Sequence, residues 1–353
     1  MSSVRKNNSS VKFIKRIMNF KSGRRKPIIV SPEELIKTEF ILPGQHLPLI
    51  IKPQVNDVNL IAWVANNRDW LETQLFKYGG ILFRNFNIKV VTDFEQLIKS
   101  ISGELIEYSY RSTPRSQVSG NIYTSTEYPA EESIPLHNEM AYARSWPKKI
   151  CFFCVKAATE GGETPIVDSR KVFQQLDPKI KEQFILKKVM YVRNYGQGLD
   201  LQWQNVFQTT NKLEVESYCH HANIEFEWQD ESNLKTRQVC QAIATHPRTG
   251  EMVWFNQAHL FHISNLKTAV RNSLLSVLKE EDLPRNALYG DGSRIETSVI
   301  EEINQIYQQE SVTFSWQEGD ILMLDNMLAA HGRKPFIGDR KVLVGMAEPY
   351  CAS

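Results

Sequence analysis

The chain contains no run of about 18 apolar residues, so no segment reads as a membrane-spanning helix. Its N-terminus has neither the apolar core nor the small-residue cleavage site of a secretory signal, and the expectation that follows is a cytoplasmic protein. Cysteine is sparse and odd in number, five in 353 residues, in a chain too long to need a disulfide framework. The five therefore read as free thiols in a reducing compartment. No GxGxxG follows a strand-like segment, which argues against a dinucleotide fold, and no internal repeat is present. Acidic residues are absent from positions 1–26, which carry nine Lys or Arg. The remaining 33 basic against 40 acidic residues leave the rest of the chain at −7. A body of that charge, without a recurring stripe of basic and aromatic residues, is not a nucleic-acid binder.

What is present is an ordinary globular composition, 42% hydrophobic and 23% charged, which fits neither a disordered nor a membrane class. Composition changes only near residue 27. The expectation is a basic, flexible tail over 1–26 followed by one catalytic domain over 27–353. Within the tail Val11, Ile14, Ile17 and Met18 fall at helical spacing, with Phe13 and Phe20 nearby. An amphipathic helix lying on a membrane surface, or docking to an acidic partner protein, is the alternative to a solvated tail.

Helical spacing predicts helices over 60–76, 91–100, 169–183 and 265–280, with a buried strand at 81–83 after Gly79-Gly80. Residues 101–135 read as a long loop, and loops of that length tend to carry function. Short strand-like segments follow at 149–155, 164–167, 189–194, 241–245, 252–255, 311–315, 320–324 and 341–347. Many short strands with a few helices predict a mainly β fold with flanking helices, an antiparallel barrel or jelly roll.

The segment Pro135-Leu136-His137-Asn138-Glu139-Met140 sets an imidazole and a carboxylate two residues apart. On a strand, i and i+2 share a face, so one segment can present both groups to one ion. A distant third ligand would complete the two-histidine, one-carboxylate set used by iron(II) oxygenases. The strongest candidate is His331, after the strand-like Gly319–Asn326. Nine residues beyond it stands Arg340, whose planar fork suits a dicarboxylic co-substrate; Lys341 takes that role if the register shifts by one.

These motifs resemble the taurine dioxygenase-like (TauD/TfdA) family from about residue 75 onward. They come in the family's order: His137-x-Glu139; Gly161-Gly162-Glu163-Thr164; Thr245-His246-Pro247-Arg248-Thr249-Gly250 leading to Asn256; Trp316-Gln317-Glu318-Gly319-Asp320; Asp325-Asn326; and His331. Within the family the sequences Leu136–Met140 and Ala330-His331-Gly332-Arg333 are most similar to natural-product hydroxylases of the SyrP group. The resemblance implies a double-stranded β-helix, a cupin-like jelly roll. It implies Fe(II) held by the catalytic residues His137, Glu139 and His331, with Thr164 and Arg340 holding 2-oxoglutarate. Dioxygen is the second co-substrate, and the implied activity is hydroxylation of an unactivated C–H bond.

The chain departs from the family in two places. Glu139 stands where most members have Asp and remains a competent oxygen ligand. The arginine that grips a sulfonate in taurine-type members is replaced by Val344, or by Gly345 in the shifted register, so a sulfonate substrate is not expected. The implied substrate is an amino acid or related carboxylate, free or tethered to a carrier protein, in a biosynthetic pathway. Arg111 and Arg115 are candidates for binding its carboxylate, against the alternative of surface salt bridges. Asn256, with Trp254, Phe255 and Gln257, is a candidate pocket residue.

Alternatives stay open at this level. His259 or His262 could replace His331, His246 reads as a structural turn residue, and Cys151-x-x-Cys154 would bind zinc only with a second pair such as Cys219 and His220. A catalytically silent binding protein of the same fold, and desaturation or ring closure in place of hydroxylation, are the competing functions. Halogenation needs a vacancy where Glu139 supplies a carboxylate.

Overall fold

The computed structural model describes residues 32–352 apart from 109, 111 and 197–199. The basic segment 1–26 and Arg111 therefore lie outside the described residues. Pro32–Ser353 cluster as one unit.

Period-2 alternation explains the central sheet. In Ser145–Lys156, Cys151 and Phe153 enter one apolar cluster while Ile150, Phe152 and Cys154 enter another on the opposite face. Ile321–Asp325 and Lys341–Cys351 alternate the same way, with Ile321, Met323 and Leu343 on the first side and Leu322, Leu324, Val342 and Val344 on the second. A sheet apolar on both faces must be covered on both. The eight strands run in the order Ile36–Glu39, Leu49–Pro53, Gly80–Phe83, Ile321–Asp325, Ser145–Lys156, Lys341–Cys351, Ile122–Thr124, Gln117–Ser119. All neighbours are antiparallel except Leu49–Pro53 with Gly80–Phe83. The helices Leu60–Asn66, Arg68–Tyr78 and Val91–Ser102 contribute to the cluster on the first face. Facing the second is a small sheet in the order Ile134–His137, Ala329–Arg333, Ile166–Asp168. Two sheets enclosing one apolar layer make the jelly roll that the strand pattern implies.

Residues between about 169 and 310 add a second layer with its own core. A four-stranded antiparallel sheet, Glu225–Trp228, Leu234–Cys240, Val189–Tyr195 and Arg285–Tyr289, shares an apolar cluster with several helices, Thr297–Glu310 among them.

Several local expectations are corrected. The helix over 60–76 is two helices, because the Asn67 side chain donates to Trp63 O at 2.7 Å and takes up a carbonyl the helix would use. The helix over 169–183 is likewise two, Ser169–Gln175 and Pro178–Lys187. Pro178 has no N–H to continue the first helix and starts the second at its first turn. Residues 311–315 form no strand, only a bridge from Val312 to Ile166. The loop over 101–135 contains the hairpin Gln117–Ser119 and Ile122–Thr124, and ends in the strand Ile134–His137.

Gly332 sets the spacing of the small sheet. A Cβ there would lie 2.6 Å from Ile134 O and 3.2 Å from Leu136 N, both backbone atoms with nowhere to go. Gly332→Ala is expected to push the two His-bearing strands apart, costing about 1–3 kcal/mol as overpacking. Thermal unfolding together with metal titration checks this, since both stability and metal affinity should fall.

Candidate active site

His137 is the last residue of Ile134–His137, and His331 lies in the middle of Ala329–Arg333. The two are direct partners across the antiparallel ladder, with ring centroids 4.6 Å apart. Cross-strand neighbours point to the same face, so pairing alone brings two imidazoles together.

Glu139 arrives by a route the spacing argument did not give. It is not on the strand but in the turn that follows, where Met140 has a φ of 57°. The turn is held by two asparagines. Asn326 Oδ1 accepts from Glu139 N at 2.7 Å, and its Nδ2 donates to Glu139 O at 2.9 Å and Pro147 O at 2.8 Å. Asn138 Nδ2 donates to Asn326 O at 2.7 Å and Ser169 Oγ at 3.0 Å, and Gln257 Nε2 donates to Asn138 O at 2.7 Å. Asp325 shapes the adjoining turn, accepting from Met327 N and Leu328 N at 2.9 and 3.0 Å. Its other oxygen lies 3.1 Å from Nε2 of His246, whose Nδ1 accepts from Thr249 N at 3.1 Å.

One ligand atom from each of His137, Glu139 and His331 lies within 4.8 Å of the others, the one such cluster found among the described residues. Burial pushes the His137 imidazole below its ordinary value. His331 is pushed well below, by burial first and then by His137 and Arg115. Both rings are therefore neutral at physiological pH, the state a metal requires. His137 Nδ1 lies 2.8 Å from Pro135 O, which fixes the proton there and frees Nε2. His331 Nδ1 is buried without a partner, and Nε2 stands 3.9 Å from Glu139 Oε2. Two neutral imidazoles and a carboxylate on one face are the donor set that suits mononuclear iron(II).

Arg115 is not on the surface. Its Nη2 donates to Glu139 Oε2 at 2.6 Å, both side chains are buried, and its guanidinium lies 4.6 Å from the Tyr108 ring centroid. Burial would lower its pKa, but the Glu139 carboxylate lifts it above the ordinary value. Nε and Nη1 have no partner.

Two cavities meet at this cluster. One, of about 180 Å³, is lined by Arg115, His137, Glu139, Thr126, Ser133, Gln257 and Phe261 among others. The other is lined by Thr164, Arg340, His331, Arg333, Phe152 and again Arg115 and His137. Arg340 Nε donates to Gly162 O at 2.9 Å, and a Cβ on Gly162 would lie 2.9 Å from Arg340 Cδ, so the Gly161-Gly162 pair leaves room for this guanidinium. Burial, and then the charge of Arg333, hold Arg340 down at about 10. Lys341 is exposed and lines neither cavity. Thr164 Oγ1 accepts from Trp316 Nε1 at 3.1 Å.

The remaining candidates are elsewhere. Asn256 is a correction: its Nδ2 donates to Ala242 O at 2.7 Å and its Oδ1 accepts from Ala258 N at 3.0 Å, so the amide is taken up by neighbouring backbone and lines neither cavity. Trp254 and Phe255 are core residues, and Gln257 alone of that group reaches a cavity. His259 lies 2.8 Å from Leu136 O, and His262 pairs with Ser264 and Ile295 O, so neither joins the cluster. Cys151, Cys154 and Cys219 are free, buried and pushed up to about 12 by burial, which makes them inert thiols. The residues whose roles sequence reasoning missed are Asn326 and Asn138. The Asp325-Asn326 motif had been noticed without a role.

Residues 44–347 match the family described as Taurine catabolism dioxygenase TauD, TfdA family, and the chain belongs to it. It is a non-haem Fe(II)- and 2-oxoglutarate-dependent dioxygenase. The chain is 43% identical over 275 residues to the dapdiamide synthesis protein DdaC of Enterobacter agglomerans, covering 78% of this chain and 84% of that protein. It is 26% identical over 332 residues to a clavaminate synthase-like protein of Arabidopsis thaliana, covering 91% and 93%. Among solved structures, PvcB of Pseudomonas aeruginosa shares the fold with a TM-score of 0.53 at 14% identity, covering 89% of this chain and 91% of that one. No helix among the described residues is long and apolar enough to cross a membrane.

The Arg115–Glu139 pair makes stability depend on metal. Arg115→Ala strands a buried carboxylate in the metal-free protein, at a cost of about 3–5 kcal/mol. A bound divalent cation supplies the missing counter-charge. Thermal unfolding with and without Mn(II) should therefore show a large mutational loss in the metal-free protein and a smaller one in the loaded protein.

Proposed function

We propose that this dioxygenase hydroxylates an unactivated C–H bond of an amino-acid-like or other carboxylate substrate in natural-product biosynthesis. His137, Glu139 and His331 hold Fe(II), while Thr164 and Arg340 hold 2-oxoglutarate. The observation that carries the reading is the meeting of the two cavities at the His137, Glu139 and His331 cluster, one bearing Arg340 and Thr164, the other Arg115. The identity to a dapdiamide synthesis protein supports the biosynthetic setting.

Iron(II) held by His137, Glu139 and His331 would, with 2-oxoglutarate and dioxygen, supply the oxidising chemistry. The chain's own residues bind and orient. Arg340 offers a planar fork to the distal carboxylate of the co-substrate, with the Thr164 hydroxyl beside it. Arg115 keeps one N–H on Glu139 and lines the 180 Å³ cavity, where its charge suits a substrate carboxylate or carbonyl. Phe261, Ile134 and Leu260 shed water from the substrate side, and the short distance from Arg115 to the ligand cluster sets which carbon is presented. Five free cysteines fit a cytoplasmic setting. The substrate is free or tethered to an acidic carrier protein, a docking role that the nine cations of residues 1–26 favour.

Succinate release from 2-oxoglutarate, measured across free amino acids and carrier-bound aminoacyl groups with mass spectrometry of the products, tests the reading. A hydroxylated product in step with succinate is expected. Stimulation only by substrates lacking a carboxyl or acyl carbonyl defeats it, and a product two hydrogens lighter reassigns the outcome to desaturation or ring closure.

Arg340→Ala should weaken anaerobic 2-oxoglutarate binding to the Fe(II) protein, read as a weak visible charge-transfer band, by about 3–5 kcal/mol or roughly two to three orders of magnitude. Lys341→Ala should leave the band unchanged, and His137→Ala should remove it.

A further inference from the structure

Arg333 lies two residues after His331 on the same strand, yet its polar edge turns away from the metal cluster. Nη1 donates to Tyr128 O at 2.9 Å, and Nη2 donates to Pro129 O at 2.5 Å and Glu132 O at 2.6 Å. Three backbone carbonyls of one irregular segment thus converge on one guanidinium. The same segment is tied at Ala130, whose carbonyl accepts from Phe336 N at 2.9 Å, and at Glu132, which pairs with Lys267. Tyr128 and Ser133 of this region line the 180 Å³ cavity that bears Arg115.

The other side of Arg333 belongs to the second cavity, with Arg340 and Thr164. The two guanidinium carbons lie 5.0 and 5.7 Å from the centroid of a single ring, that of Phe336, and no Asp or Glu lines that cavity. Like charges share this space, and Arg333 is among the causes that lower the Arg340 pKa. Arg333 Nε is buried without a partner.

We propose that Arg333 is a positioning residue that couples the two cavities: a dianion bound beside Arg340 tightens the hold of Arg333 on Tyr128–Glu132 and so firms the wall of the substrate cavity. This rests on the reading of the Arg340 cavity as the 2-oxoglutarate site. The physical basis is linkage. With the second cavity empty, Arg333 holds the segment against the repulsion of Arg340. A dianion removes that repulsion, favours the arrangement in which Arg333 is clamped, and is itself bound more tightly by it. A lysine keeps the charge but cannot span three carbonyls in one plane, which separates the clamp from simple charge.

The test uses full-length protein with Mn(II), and N-oxalylglycine as a non-reacting dicarboxylate probe, followed by amide hydrogen exchange over residues 125–133. The wild-type protein is expected to bind the probe and slow exchange in this segment. Arg333→Lys and Arg333→Gln are expected to bind the probe and lose that slowing. The ligand-dependent difference is the readout, so a merely structural effect on basal exchange does not mimic it, and either variant suffices if the other fails to fold. The inference is overturned if wild-type exchange in 125–133 is unchanged on binding, or if Arg333→Lys transmits the same slowing. It is also overturned if both variants lose the probe as Arg340→Ala does, because Arg333 is then a ligand of the dianion. Failure of the wild-type protein to bind the probe sinks the reading of the Arg340 cavity, and the coupling with it.

Discussion

The centre of this protein depends on one antiparallel pairing, that of His331 with His137. Two short strands at that register put both imidazoles on one side of the small sheet, and every other part of the site is arranged around the space between them. The carboxylate reaches the same space because Asn326, in the turn just ahead of the His331 strand, grips the backbone of Glu139 at both its N–H and its C=O. Three donors from segments nearly two hundred residues apart in sequence are thus tied by one ladder and one amide.

Charge then divides the surroundings. Glu139 has a cation on Oε2, the oxygen that also lies 3.9 Å from His331 Nε2, and no Asp or Glu lines the second cavity, which holds cations. Arg115 lines both cavities, so the same guanidinium that steadies Glu139 borders both spaces. Buried like charges are costly when nothing neutralises them, and the co-substrate is the group that suits this imbalance.

Much of this was legible in the sequence. Continuous apolar runs such as Ile150–Val155 and Val342–Ala347 announced a sheet covered on both faces, and the ordered motifs around His137, Thr164, His331 and Arg340 announced the class of chemistry. The parts that were not legible have physical reasons. Leu234–Cys240 sets Thr236 and Gln238 between Leu234 and Cys240 on its buried face, and buries Lys235 on the other, so its apolar period is broken. Thr297–Glu310, by contrast, buries Ile300, Ile303, Ile306 and Tyr307 at helical spacing, a period that the sequence does carry. Asn256 failed as a pocket residue because an Asx side chain binds nearby backbone as readily as a ligand. Arg115 was visible only as a loop arginine, since its partner lies 24 residues away and is approached through a turn that the i, i+2 rule does not describe.

The layer built from residues 169–310 shares one apolar cluster with Leu136, Tyr142, Ala143 and Ala330 of the jelly roll, and its Gln257 and His259 reach the backbone of Asn138 and Leu136. Both contacts go to main-chain carbonyls, which are the same whatever side chains surround them. The cavity-facing side chains of the layer, Leu260 among them, are therefore separate from the contacts that hold the ligand segment, and they can vary while those contacts stay as they are. One durable reaction can in this way be offered to a succession of molecules.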